Sequence, residues 1–119
     1  MRKLRTVQTQ QKLNDVYSVD DRGKGGAHHR YVICRHNTTE VILEVGLQNG
    51  ARMEKGSIDG VLDSDLLEIV RDRLTDFQKG EYPSEHNQQA LEYVNKALEC
   101  LNNRVKDRIS RGVLGNNTK

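Results

Sequence analysis

A chain of 119 residues with 34% hydrophobic and 4% aromatic content, one Phe and no Trp, can build only a thin core. Its formal net charge of +2 is too small for a protein that coats DNA or RNA, so any anion site must come from local clustering of Arg and Lys. Chains this short and polar gain stability by self-association, so a homo-oligomer is expected.

The chain opens on Met1-Arg2-Lys3-Leu4-Arg5, a basic start with no apolar run behind it, which argues against a signal peptide. Residues 1–26 read as an N-terminal arm whose sizeable apolar residues are Leu4, Val7, Leu13, Val16, Tyr17 and Val19. A loose arm and a contributed strand both fit this segment. Arg22-Gly23-Lys24-Gly25-Gly26 closes it as a flexible turn. A phosphate-cradling P-loop would need GxxxxGK[ST] leading into a helix, whereas this run leads into a strand.

Residues 27–61 read as an antiparallel β-sheet region. His28 to Arg35 carries Tyr31, Val32, Ile33 and Cys34; Thr39 to Leu47 carries Val41, Ile42, Leu43 and Val45. Both are short β-branched runs between turn residues, and His36-Asn37-Thr38 between them predicts a hairpin. Arg52-Met53-Glu54 is expected to add a short third strand before Gly56.

Residues 62–112 read as a helical hairpin. Leu62, Leu66, Ile69, Val70, Leu74 and Phe77 recur at three- and four-residue steps, with Asp63, Ser64 and Asp65 at the start and Gly80 as the stop. After Pro83, Ser84 is the expected N-cap of a second helix and Glu85 complements its dipole. Leu91, Val94, Leu98, Leu101, Val105 and Ile109 then keep a nearly heptad stripe until Gly112, as in a helix that packs along a partner helix. The connection is short, so the two helices are antiparallel neighbours. Residues 113–119 form a C-terminal tail. The predicted class is α+β: a small N-terminal antiparallel β-sheet, then a C-terminal antiparallel two-helix hairpin.

Neither a catalytic constellation nor a cofactor motif stands out, so the chain is not expected to be an enzyme or to hold a cofactor. His28 and His29 are adjacent and would point to opposite faces of a strand; His36 and His86 supply no ligand spacing, so no metal site is expected. Cys34 and Cys100 lie far apart with no CxxC, which suits a reducing cytoplasm better than a disulfide or a zinc site. No apolar stretch approaches transmembrane length.

Arg104, Arg108 and Arg111, at steps of four and three, share one helix face. By spacing alone they read first as cations that offset the dipole of a helix C-terminus. Lys would serve that purpose equally well, and Arg three times over suggests planar, bidentate grips on phosphate or carboxylate. Phe77, the single Phe, reads first as core and second as a base-stacking platform.

These residues also carry a likeness. The run Leu66-Leu67-Glu68-Ile69-Val70-Arg71-Asp72-Arg73-Leu74, then Phe77-Gln78-Lys79-Gly80, Asn87, Ala90-Leu91, Ala97-Leu98, Leu101, Arg104, Arg108 and Arg111-Gly112-Val113 resembles the Thoeris anti-defence protein 1 family. That family shares its hairpin domain with the anti-CBASS protein 2 family. His28-His29-Arg30-Tyr31-Val32-Ile33, Leu47-Gln48-Asn49-Gly50 and Gly56 to Gly60 extend the likeness into the sheet, so it spans about Gly26 to Gly115. The resemblance implies a phage sponge in the host bacterial cytoplasm. Such sponges bind cyclic ADP-ribose isomers made by TIR-domain enzymes, chiefly glycocyclic ADP-ribose, without cleaving them. Some also bind CBASS cyclic oligonucleotides at a separate site. It further implies that Phe77 and Asn87 contact the base side of the ligand and that Arg104 and Arg108 grip phosphate and base, partly from a second protomer. Arg52 resembles an arginine of the second site, and the assembly would be a dimer or, as in relatives, a hexamer. After Val113 the chain departs from many relatives, carrying Leu114-Gly115-Asn116-Asn117 in place of an acidic residue and a Gly-Thr-His-like tail. The reading from residues alone that competes with this one is a small nucleic-acid-binding accessory protein, suggested by the Arg stripe and the basic start.

Overall fold

The computed structural model describes residues 1–119 and divides into two compact units, Met1–Val61 and Leu62–Lys119. The first is a four-stranded antiparallel meander: β1 (Arg2–Lys3), β2 (Asn14–Ser18), β3 (Arg30–Arg35) and β4 (Val41–Gly46), hydrogen-bonded in chain order. The arm is therefore part of the sheet and supplies half its strands. Period-two alternation buries Val32 and Cys34 on the inner strand β3. Opposite Cys34 stands Asp15, whose carboxylate is fully buried.

A buried charge must find partners, and Asp15 has four. His36 Nδ1 lies 2.9 Å from Oδ1, the Asn37 backbone N–H donates to Oδ2 at 3.0 Å, and Lys12 and Lys3 Nζ stand 3.4 and 3.6 Å from Oδ1. Asn37 can aim its N–H inward because it adopts the left-handed conformation (φ 57°) that Asn tolerates at the β3–β4 turn. The Asn37 N–H and then the His36 side chain hold the Asp15 carboxyl well below the usual carboxylate range, against the opposing effect of its burial. Asp20 ties the start of β3 in a similar way, accepting the N–H groups of His29 and Arg30 at 3.0 and 3.2 Å. Burial works to raise its carboxyl, but those backbone donors outweigh it and the net shift is downward.

The third strand expected at Arg52-Met53-Glu54 does not form. Gly50 and Gly56 both adopt positive φ, and between them the chain makes successive turns, Glu54 N–H bonding back to the Ala51 carbonyl at 2.9 Å and Ser57 N–H to that of Glu54 at 3.3 Å. The segment is a loop closed by two isolated bridges, Leu47 with Val61 and Asn49 with Ile58. Gly60 permits the closure, since a Cβ there would meet the Gly46 carbonyl oxygen at 2.6 Å.

The second unit is the hairpin: α1 (Asp63–Lys79) and α2 (Glu85–Ser110), packed against each other and running antiparallel. At the start of α1 the Asp65 carboxylate accepts from the Leu62 N–H at 2.8 Å; Leu62 itself offers no side-chain acceptor. Ser84 caps α2 as expected, its Oγ accepting from the Asn87 N–H at 3.0 Å. Gln78 clasps the closed end, donating to the Ser84 carbonyl and accepting from the Ser84 N–H, both at 3.0 Å. At the far end Gly112 (φ 69°) turns the chain out of the helix, with Val113 N–H bonded to the Arg108 carbonyl and Gly112 N–H to that of Ile109, both at 3.0 Å.

The core of this unit is thin. Leu98 is buried and Leu66, Leu74, Leu91, Val94 and Leu101 are half-buried, whereas Ile69 and Ile109 are 60% and 58% exposed. No helix is long and apolar enough to cross a membrane.

Candidate functional site

The hairpin sorts the predicted site residues into two groups. Phe77, in the last turn of α1, and Asn87, in the first turn of α2, share the closed end. Arg104, Arg108 and Arg111 share the open end. From Asn87 to Arg104 the rise along α2 is roughly 25 Å. The structure thus unites each group and keeps the two groups apart within one hairpin.

At the closed end, Phe77 is 48% exposed, too open for a core residue. The Arg73 guanidinium, one turn earlier, lies over its ring at 5.1 Å from the centroid. Asn87 is half-buried and its carboxamide makes no hydrogen bond within the chain. An exposed ring can stack on a nucleobase, and an unused amide at the same end of the hairpin can read a base edge.

At the open end, helix length matters. α2 has 26 residues against 17 in α1, so its last two turns run past the start of α1. Arg104 and Arg108 stand on this overhang, beside Val105 and Ile109, which remain exposed. Arg104 has no carboxylate and no hydrogen bond. Arg111 Nη1 lies 3.5 Å from the Asp107 carboxylate, and its Nη2 donates to the Lys119 carbonyl. Arg108 is half-buried under the segment that follows α2. Its Nη2 donates to the carbonyls of Val113, Asn116 and Thr118 at 3.1, 2.9 and 2.6 Å. Among side chains, the three guanidinium groups therefore meet one carboxylate, that of Asp107. The dipole account explains cations here; all three carbonyls are met by Nη2 alone, which leaves Nε and Nη1 of Arg108 without a partner in the chain.

Arg52 is used differently. Its Nε and Nη2 donate to Gln48 Oε1 at 3.1 and 2.9 Å, its Nη2 also to the Gly60 carbonyl at 2.9 Å, and Asp59 Oδ1 lies 3.6 Å from Nε. The side chain stitches the Leu47–Val61 loop. Arg52→Ala is expected to lower stability by about 1 kcal/mol, the worth of such exposed hydrogen bonds, with no change at the hairpin. A melting curve identical to that of the parent chain would show the stitch to be idle.

No protein-family model matches the chain. A curated protein of Bacillus phage SBSphiJ7, "Thoeris anti-defense 1", is 32% identical over 97 residues, which cover 82% of this chain and 66% of that protein's length. The chain belongs to the Thoeris anti-defence 1 family. The aligned length exceeds either unit alone, so the likeness takes in parts of both the sheet and the hairpin.

Two features of this family member escaped the reading of residues. The Arg73–Phe77 stack was open to discovery, since a step of four on a helix brings the two side chains together. The Asp15 cluster was not, because Lys3, Lys12, Asp15 and His36 meet only once the strands have paired.

Proposed function

We propose that the chain is a phage anti-defence sponge that binds a cyclic ADP-ribose isomer, of the glycocyclic ADP-ribose type, and holds it intact. The observation that carries this reading is the arginine overhang: Arg104 unpaired, Arg108 bonded to neutral carbonyls alone, and one side-chain carboxylate for all three guanidinium groups. A surplus of oriented, planar donors is what a pyrophosphate needs. The exposed ring of Phe77 and the free amide of Asn87 suit the base.

Sequestration is a demand on affinity. Holding a signal at about 1–10 nM needs roughly 11–12 kcal/mol. Exposed ion pairs supply about 0–1 kcal/mol each, whereas charged hydrogen bonds in an enclosed site supply roughly 1.5–3 and a stacked base about 1–3. The ligand must therefore be enclosed. One hairpin cannot do this, since its two groups of site residues lie farther apart than a ring of dinucleotide size can bridge. In this reading a second copy lays its arginine overhang against the closed end of the first. Charge supports the pairing: Asp76, Glu81, Glu85 and Glu92 outnumber Arg73 and Lys79 at the closed end, and Arg104, Lys106, Arg108 and Arg111 outnumber Asp107 on the overhang. Exposed Val105 and Ile109 would be covered in the same step.

The test is incubation with glycocyclic ADP-ribose, heat denaturation, and chromatography of the released nucleotide, with light scattering on the same sample. The expected result is nanomolar binding by a dimer or larger assembly and recovery of the nucleotide unchanged. A cleaved product would make the protein an enzyme. Salt-sensitive binding to random duplex DNA in place of the nucleotide would favour a nucleic-acid-binding role. A micromolar monomer with full affinity would remove the second copy from the site.

A further inference from the structure

We propose that Arg73 is a ligand-binding residue, a phosphate grip supplied by the same hairpin end, and the same copy, as Phe77. This rests on the sequestration reading and adds a residue to its site. Helix α1 places Arg73 one turn before Phe77, and the guanidinium lies over the ring 5.1 Å from its centroid. Arg73 makes no hydrogen bond and no ion pair, although Asp72 precedes it and Asp76 lies one turn away. Its neighbour Arg71, by contrast, is paired with Glu68. A guanidinium has five N–H donors, and a ring face satisfies none of them.

A surface Arg that rests on an exposed aromatic ring with every donor free is arranged for an acceptor that arrives with the ring's own stacking partner. A nucleotide has that form: a planar base to cover Phe77, with phosphate oxygens a few bonds away. The open-end arginines of the same copy are roughly a helix length distant and cannot serve this end. The enclosed ligand is then held by Arg73 on the Phe77 side and by Arg104 and Arg108 from the second copy on the other. A diphosphate bridged in this way is neutralised from both sides.

The experiment measures glycocyclic ADP-ribose binding by calorimetry at low and high salt for the full chain, Arg73→Gln and Arg73→Lys, with light scattering of each. Arg73→Gln keeps a polar, hydrogen-bonding side chain, though a shorter one with two N–H donors, and removes the charge. It is expected to weaken binding roughly ten- to a hundredfold and to make it less sensitive to salt, with the assembly and melting temperature unchanged. Arg73→Lys is expected to recover the salt slope and only part of the affinity, because the charge returns without the planar fork. Parent-like affinity and salt slope in Arg73→Gln, in a chain that binds normally, would overturn the role of Arg73 alone. A parent chain that ignores the nucleotide would overturn the sequestration reading and this inference with it.

Discussion

Arg108→Lys should weaken binding of glycocyclic ADP-ribose by about 1–3 kcal/mol while the assembly and its melting temperature stay close to those of the parent. Lysine keeps the charge, so a side chain that only offsets the α2 dipole would not register the change. A planar grip on phosphate would, because the ammonium is a point donor that cannot bond two oxygens in parallel. In the free chain Arg108 Nη2 holds the carbonyls of Val113, Asn116 and Thr118, so the same variant should speed amide hydrogen exchange in residues 113–118. The two readouts separate the roles: faster exchange with parent-like affinity would mean that Arg108 serves only to hold the segment after α2. Phe77→Ala belongs in the same experiment. A core Phe would cost about 3–5 kcal/mol of stability, but a ring 48% exposed should cost far less. Its loss is expected in binding, about 1–3 kcal/mol for an unstacked base. A large fall in melting temperature with unchanged affinity of the folded remainder would make the ring structural.

Asp15→Asn should lower the melting temperature by more than about 5 °C at neutral pH and leave the hairpin's ligand affinity unchanged. The carboxylate is fully buried and faces Lys3, Lys12, His36 and the Asn37 N–H, so the amide would strand two ammonium groups and an imidazole beside a neutral partner. The pH dependence follows from the direction of the shift. The folded-state pKa of Asp15 is depressed below its unfolded value, so its contribution is fully present above the ordinary carboxylate range near 4. It is lost as pH falls through that range toward the lower folded value. The parent chain should therefore show a steep loss of melting temperature below about pH 4, and Asp15→Asn a shallower one. Equal slopes in the two chains would remove Asp15 from the acid limb.

The hairpin was legible because its signals are local. The three- and four-residue steps from Leu62 to Phe77 and from Leu91 to Ile109, Ser84 as a cap, and Gly80 and Gly112 as stops act within a turn or two of themselves. Strands β3 and β4 were legible for the same reason, as β-branched runs on either side of His36-Asn37-Thr38. The arm was not, since Asn14–Ser18 alternates too weakly to declare a strand. Its five residue pairs with β3, and the Asp15 contacts that reach 22 positions along the chain, exist only once the strands have met. Arg52 was placed in a strand for a related reason. Its neighbours permitted a strand, and only the return of Gln48, Asp59 and Gly60 onto its guanidinium made the segment a stitched loop.

By itself the sequence determined the order of sheet and hairpin, the caps that bound each helix, and which side chains share a helix face, because each depends on dihedral preference and short-range periodicity. It also carried the family, through spaced residues in both units. The tertiary structure alone decided the accessibility and partners of those side chains. The same Phe could have been core, and the same three arginines could have been paired with acids. Packing left the ring half open with Arg73 over it, sent α2 past the end of α1, and turned the following segment's carbonyls onto Arg108. Burial and charge pairing depend on atoms that folding brings together from distant positions, and no periodicity along the chain encodes them.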